Sequence, residues 1–357
     1  MFDMEKRICV IEGDGIGPEV MAQAIKVLDR VAEKFSHKFN YEYRLAGGCA
    51  IDKTGCCLPK ETLDCVLSTD STLLGAVGGN KWDSQPANNR PEKALLGIRK
   101  AMQVYANLRP QKLYPQLSSP LRADVIADGI DIMIVRELVS GVYFGEHNQC
   151  VEDGENVAVD IMKYTETEIK RVAKVAFELA EKRSGNLLLV DKANVLATSK
   201  LWRKVASEMS ANYPNVNLSF MYVDNCAMQI IKNPSKIDVI LTENMFGDIL
   251  SDEASALTSS IGMAGSASLG DGKRGFYEAI HGSAPDIAGQ DIANPIGMIL
   301  SVAMMLKNSF DMPKEAQCVE NAVQKFIENG YRTKDILQEN TTLVKCSEAG
   351  DIICSYI

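Results

Sequence analysis

Short apolar runs that end in glycine or a charged residue and pass at once into helical periodicity recur along this 357-residue chain. Ile8-Cys9-Val10-Ile11 runs into Gly13-Asp14-Gly15-Ile16-Gly17-Pro18. Val20, Ala24, Val27, Leu28 and Val31 then recur at helical spacing, with Pro18 in the first turn. Residues 73–77 end at Gly78-Gly79, 187–190 at Asp191-Lys192, and 237–241 at Thr242-Glu243. Residues 168–183 place Ile169, Val172, Ala176 and Leu179 on one helical stripe. Strand, turn and helix in alternation predict an α/β fold, with polar groups at strand C-terminal ends, where such folds assemble sites. The length allows two or three structural units.

The totals exclude several function classes. A net charge of −9 and a pI near 5.1 argue against general nucleic-acid or anionic-membrane binding. The longest apolar run, 296–306, is too short to cross a bilayer and predicts a buried helix. The segment Met1-Phe2-Asp3-Met4-Glu5-Lys6-Arg7 has no signal-peptide core. Ten scattered cysteines without CxxC spacing predict reduced thiols and a cytoplasmic protein. Arg99, Arg109, Arg122 and Arg136 still allow a local basic pocket for an acidic metabolite.

Residues 92–99 read as a helix in which Leu95 and Arg99 are i,i+4 and Leu96 and Arg99 are i,i+3. One face then carries a guanidinium beside two branched apolar side chains, suited to a ligand anionic at one end and apolar at the other. Taken alone, the same pattern describes core leucines and a solvated arginine.

The glycines of GDGIGP invite a dinucleotide reading, but the G-x-G-x-x-G spacing fails because Pro18 stands where the third glycine is needed. A structural turn accounts for it better. The run His281, Gly282, Ser283, Ala284, Pro285, Asp286, Ile287 through Asn294 is the stronger cofactor candidate, since small residues let amides approach a pyrophosphate. A carboxylate such as Asp286 can accept both adenosine ribose hydroxyls and would repel a 2′-phosphate, which predicts NAD over NADP. As a bare pattern, such a loop is also simply a loop.

In Phe246-Gly247-Asp248-Ile249-Leu250-Ser251-Asp252, Asp248 and Asp252 share a helix face. Two adjacent carboxylates repel unless a cation lies between them, and hard oxygen ligands suit Mg²⁺ or Mn²⁺. Acids near a helix N-terminus explain the pair equally simply. Asp224, after the alternating run 216–222, is a candidate third ligand. Arg136 and Tyr143 lie close in sequence, and Lys192 ends an apolar strand where partial burial would lower its pKa. Lysine and tyrosine near a divalent ion make an acid–base set.

Together, GDGIGPEV, GAVGGNKWD, PEKALLGIRK, YANLRP, VRELVSGVYFG, VDKANVL, ENMFGDILSDEAS, HGSAPDIAG and IANP resemble, in order, the β-decarboxylating dehydrogenases of the isocitrate/isopropylmalate family. The likeness covers essentially the whole chain. It implies a non-Rossmann fold of two α/β domains sharing a large mixed sheet, with the active site between them. The discontinuous cofactor domain would be 1–104 and 259–357; the central domain, 105–258, would carry the dimer interface and metal ligands. By motif position, Arg99, Arg109 and Arg136 would hold substrate carboxylates, and Asp224, Asp248 and Asp252 the divalent metal, with Asp224 also touching substrate. Lys192 and Asp224 would reach in from the partner of a homodimer. Tyr143 would be the acid of the decarboxylation half, and Glu92, Leu95, Leu96 and Val195 would line the pocket for the γ-substituent. The implied reaction is NAD-dependent oxidative decarboxylation of 3-isopropylmalate to 4-methyl-2-oxopentanoate, a step of leucine biosynthesis. The match departs at Asn80, Ala279, Gln290 and Ala264-Gly265, none of which removes a reacting group.

Sister enzymes acting on homoisocitrate, isocitrate or tartrate remain alternatives, as does a non-catalytic regulatory subunit or a plain NAD-binding scaffold. A third substrate carboxylate would face Leu95-Leu96 and lose several kcal/mol in desolvation. A regulatory subunit would lack a catalytic group, yet Lys192, Tyr143 and the three aspartates are all present. Cys226, two residues from Asp224, is read as an oxidation liability.

Overall fold

In the first strand, β1 (Glu5–Gly13), Ile8, Cys9, Val10 and Ile11 are all fully buried. Strand side chains alternate between faces, so such a run needs cover on both sides, as helices cover a parallel sheet. The computed structural model describes residues 4–357. The first three residues of the charged N-terminal segment lie outside the described residues.

The chain continues through α1 (Gly17–Phe35), β2 (Lys38–Tyr43), α2 (Gly48–Thr54), α3 (Lys60–Ser68), β3 (Ser71–Ala76) and α4 (Pro91–Met102). Next come β4 (Ala106–Lys112), β5 (Asp131–Glu137), β6 (His147–Glu152), β7 (Glu155–Asp160), α5 (Glu166–Lys182) and β8 (Asn186–Asp191). Then follow α6 (Ala197–Ser210), β9 (Asn217–Tyr222), α7 (Val223–Lys232), β10 (Val239–Thr242) and α8 (Asn244–Leu257). The last stretch holds β11 (Gly265–Leu269), β12 (Gly275–Ala279), α9 (Ile296–Asn308), α10 (Pro313–Glu328), β13 (Tyr331–Arg332), β14 (Thr342–Leu343) and α11 (Cys346–Tyr356).

The chain divides into two units. The first is Met1–Val104, Leu113–Pro120 and Thr258–Ile357; the second is Tyr105–Lys112 and Leu121–Leu257. The central domain was expected to run unbroken over 105–258, but Leu113–Pro120 and Thr258 belong to the first unit. Arg332 supplies one reason, since its Nη2 donates to the Gln116 carbonyl at 2.8 Å.

In the first unit the strands lie in the order β2-β1-β3-β12-β11, parallel except for the antiparallel β12/β11 pair. Cys9, Ile11, Leu74 and Phe276 cluster with Val66 of α3 and Ala94 and Ile98 of α4 on one face. Helices α1 and α9 pack against strands of the same sheet and against each other. Helix α9, the long apolar run of the sequence, is buried nearly all round, so its apolar residues work as core. No helix among the described residues is long and apolar enough to cross a membrane.

In the second unit the order is β4-β5-β10-β8-β9, with only β4 antiparallel to its neighbour. Parallel strands bring the C-terminal ends of β5, β10, β8 and β9 to one edge, which sets where Arg136, Glu243, Lys192 and Asp224 emerge. The hairpin β6–β7 turns at Asp153 (φ +50°) and Gly154 (φ +84°), the geometry of a tight two-residue turn, and exposes Val151 and Val159. Parallel and antiparallel pairs in both units make the α/β sheet mixed, as expected, and not Rossmann.

Candidate active site

In the second unit, five of the expected residues converge. Arg136, near the end of β5, is almost wholly buried and lies across α8. Gly247 makes room for it, because a Cβ there would come within 2.6 Å of the Arg136 Cγ. Its Nη1 meets Asp248 Oδ1 at 2.5 Å, and Nε and Nη2 donate to Asn244 Oδ1 at 3.1 and 2.7 Å. Arg109, from β4, brings Nη1 to 3.3 Å from Asp248 Oδ1 and 3.5 Å from Asp252 Oδ1, and donates to Ser251 Oγ at 2.7 Å. Its Nε donates to Asn107 Oδ1 at 2.7 Å. The Tyr143 hydroxyl donates to Asp248 Oδ2 at 3.2 Å, with its ring beside the Arg136 guanidinium. Two guanidiniums thus offset the repulsion of the Asp248–Asp252 pair.

The electrostatics follow from this packing. Burial, then the nearby Asp248 carboxylate, pushes the Tyr143 phenol above its ordinary range, against the pull of Arg136. Partial burial raises the Asp252 carboxyl; Arg109 opposes this and Asp248 reinforces it. The start of α8 is fixed by Glu243, which accepts from the amides of Met245 and Phe246 at 3.2 and 3.1 Å and from the Tyr164 hydroxyl at 3.0 Å. Asn244 Nδ2 donates to the Ser140 carbonyl at 3.0 Å, so the amide that accepts from Arg136 is itself held.

Lys192 and Asp224 stand together, Nζ to Oδ1 2.5 Å, at the ends of β8 and β9. The ammonium holds the Asp224 carboxyl below its usual range. Val195 is exposed. Asp224 does not join Asp248 and Asp252: among the described residues, the one group of three His, Cys, Asp or Glu side chains close enough for a single ion is Glu19, Asp291 and Cys346. Two expectations are corrected here. Arg122 joins no basic pocket but pairs with Asp124 on the surface at 2.5 Å. Cys226 is fully buried, and burial pushes its thiol up to about 12, so thiolate for oxidation is scarce.

In the first unit, Arg99 is buried and not solvated. Its Nη2 meets Glu278 Oε1 of β12 at 2.5 Å, while its buried Nε meets no acceptor. Leu95 packs partly on the core cluster, Leu96 is half-buried, and Glu92 is exposed. Along the glycine-rich loop, Gly282, Pro285 and Asp286 are exposed, Ala284 and Ile287 are half-buried, and Ser283 is buried. No donor among the described residues meets the Asp286 carboxylate. Burial lowers the His281 pKa and leaves its Nε2 without a partner. Asn294 is turned to structure: it donates to Asp335 Oδ2 at 3.0 Å and accepts from Ile296 N at the start of α9. Asp14, in the turn that failed as a dinucleotide motif, accepts from the amides of Gly48, Cys49 and Gly78 at 2.7 to 2.9 Å.

Sequence reasoning missed Glu278, Asn244, Ser251 and Asn107, the side chains that hold the arginines. For Glu278 a signal existed: it is the lone acid in the otherwise apolar strand Gly275–Ala279.

Residues 7–353 match the family model described as isocitrate/isopropylmalate dehydrogenase. The 3-isopropylmalate dehydrogenase of Helicobacter hepaticus is 57% identical over 99% of this chain and 100% of its own length. That of Oleidesulfovibrio alaskensis is 54% identical over 98% and 99%. The crystal structure of isocitrate dehydrogenase from Methylococcus capsulatus superposes with a TM-score of 0.88 at 30% identity, covering 98% of this chain and 99% of that one. Motif order, mixed sheet and these matches agree, and the chain belongs to the isocitrate/isopropylmalate dehydrogenase family.

Proposed function

We propose that the chain catalyses NAD-dependent oxidative decarboxylation of (2R,3S)-3-isopropylmalate to 4-methyl-2-oxopentanoate, a step of leucine biosynthesis, in the cytoplasm. The observation that carries this reading is the convergence of Arg109, Arg136 and Tyr143 on the Asp248–Asp252 pair. Cations for the substrate carboxylates, oxygen ligands for a divalent ion and a protonated phenol are then within reach of one small diacid.

The donor set fits Mg²⁺ or Mn²⁺: Asp248 and Asp252 are partly exposed carboxylates on one helix face. Asp224, which stands apart from them beside Lys192, would be supplied by a second copy of the chain. Exposed Met228, Ile231 and Ile249 on α7 and α8, with Val151 and Val159 on the hairpin, support a homodimer. The loop 281–291 fits NAD, because Asp286 offers an exposed, unpartnered carboxylate to ribose hydroxyls. A divalent ion held by Asp248 and Asp252 would supply Lewis-acid polarisation of the substrate oxygen, and a nicotinamide held by the loop would supply the hydride acceptor.

The chain's own groups do the remaining work. Arg109 and Arg136, with Arg99, neutralise the two carboxylates. Lys192, once its ammonium has passed a proton to solvent, accepts the hydroxyl proton as a neutral amine and relays it away. The ketone formed lies β to a carboxylate, so the C–C electron pair can move toward the carbonyl as CO₂ leaves. Tyr143, whose raised pKa keeps it protonated, then delivers its proton to the enol carbon. Leu95 and Leu96, with Glu92 and Val195, would receive the isopropyl group; the third carboxylate of isocitrate would lose solvation there without a partner.

Purified chain given 3-isopropylmalate, NAD and Mn²⁺ is expected to form NADH and CO₂ in equal amounts. Ligand binding without NADH would instead make it a regulatory subunit.

A further inference from the structure

Glu19, Asp291 and Cys346 look like a metal site, with ligand atoms within 4.8 Å of one another. Their hydrogen bonds say otherwise. Glu19 Oε1 accepts from the Gly289 amide and Oε2 from the Asp291 amide at 3.1 Å. Asp291 Oδ1 accepts from Ser347 N at 2.8 Å, and its Oδ2 accepts from Ser347 Oγ at 2.7 Å. All four carboxylate oxygens are engaged by the chain. The cluster is a clasp, and it closes the exit of loop 281–291.

That exit is an enforced conformation. Gly289 and Asp291 both have positive φ, +76° and +58°. A left-handed Asp is disfavoured because its Cβ crowds the following carbonyl, so something must hold it. On one side the holder is the start of α11, through Cys346 N to the Asp291 carbonyl at 2.9 Å and the two Ser347 contacts. On the other, the one that also takes Gly289, it is a carboxylate in the first turn of α1, where the aligned helix amides favour negative charge. The entrance of the loop is tied to the same stretch of chain: Ile16 N donates to the Ser283 carbonyl at 2.8 Å. Gly15, at φ +58°, allows this approach, because a Cβ would lie 1.9 Å from that carbonyl oxygen. Asp286 sits between the two ties; its carboxylate meets no donor among the described residues and its carbonyl is held only from within the loop, by Gln290 Nε2 at 2.7 Å, so its position depends on them.

We propose that Glu19 is a positioning residue for the dinucleotide: by clasping Gly289 and Asp291 it sets the loop that carries Asp286. This rests on the reading of loop 281–291 as the NAD site. It gives GDGIGPE a role that its glycine spacing denies it as a dinucleotide motif: the segment shapes the loop that carries Asp286.

The test compares Glu19→Ala, Glu19→Gln and Asp286→Ala with the parent enzyme. The readouts are KM for NAD, Kd for NADH by fluorescence, KM for 3-isopropylmalate at saturating NAD, and Tm. Glu19→Ala is expected to raise KM for NAD and Kd for NADH about tenfold, the loss of one charge-assisted hydrogen bond or slightly more. KM for 3-isopropylmalate should stay within about twofold. Glu19→Gln keeps one acceptor oxygen and should fall between, and it carries the test if the alanine variant does not fold. If Asp286→Ala weakens NADH binding while the Glu19 variants lower only Tm, or shift both KM values together, the positioning role is wrong and the loop reading stands. If none of the three changes NADH binding, the loop assignment fails and the positioning role with it.

Discussion

Arg99 and Glu278 form a buried ion pair, Nη2 to Oε1 2.5 Å, with each side chain only 8% exposed. Glu278 therefore decides what Arg99 can do. It cancels the buried charge in the free protein and leaves the guanidinium Nε without an acceptor. Breaking one partner of such a pair costs about 3–5 kcal/mol, because the other charge stays buried and unpaired. Glu278→Ala is expected to lose stability on that scale in chemical denaturation and to raise KM for 3-isopropylmalate. Glu278→Gln keeps an acceptor for Nη2 but not the charge, and should recover only part of the stability. Full stability in the alanine variant would mean that Arg99 finds another partner.

Tyr143→Phe removes the proton donor and leaves the ring beside Arg136. General-acid loss predicts a fall in kcat of about a hundredfold or more, with Mn²⁺ binding unchanged. Because burial and Asp248 raise the phenol's pKa, the parent enzyme should keep its donor protonated beyond the pH at which ordinary tyrosine begins to ionise. Parent-like turnover by the phenylalanine variant would remove Tyr143 from the mechanism.

The next expectation concerns pH and stability. Glu137, beside Arg136 in sequence, is fully buried, and burial pushes its carboxyl up to about 7 despite the Val139 and Ser140 amides and Arg171. Below the ordinary glutamate value of 4.5, both folded and unfolded chains hold the proton. Between there and about 7 the unfolded chain releases it first, so this group's contribution to stability falls as pH rises. The loss amounts to about 3 kcal/mol at 1.36 kcal/mol per unit. Glu137→Gln should therefore show a flatter stability profile than the parent between pH 5 and pH 8. Identical slopes would place the titration elsewhere.

The pattern of strands, helices and glycines was legible because it is local. Residues 8–11, 187–190 and 296–306 carry their burial in their own composition. Asp248, Asp252, Arg109, Arg136 and Tyr143 were legible as candidates because their chemistry is unusual in apolar surroundings. What brings them together was not legible. Glu278 reaches Arg99 from 179 positions away, and Asn244 reaches Arg136 from 108. Such pairings depend on strand order, which no periodicity encodes. The boundary at Leu113–Pro120 escaped for the same reason, being set by contacts such as Arg332 to Gln116. Cys226 was misread because spacing from Asp224 says nothing of burial.

The most direct measurement is kcat/KM for 3-isopropylmalate against isocitrate, with NAD and Mn²⁺. If Leu95 and Leu96 receive an alkyl group, the third carboxylate of isocitrate is stranded, and several kcal/mol translate into a preference of at least about a hundredfold for 3-isopropylmalate. Comparable values for the two substrates would contradict the pocket assignment.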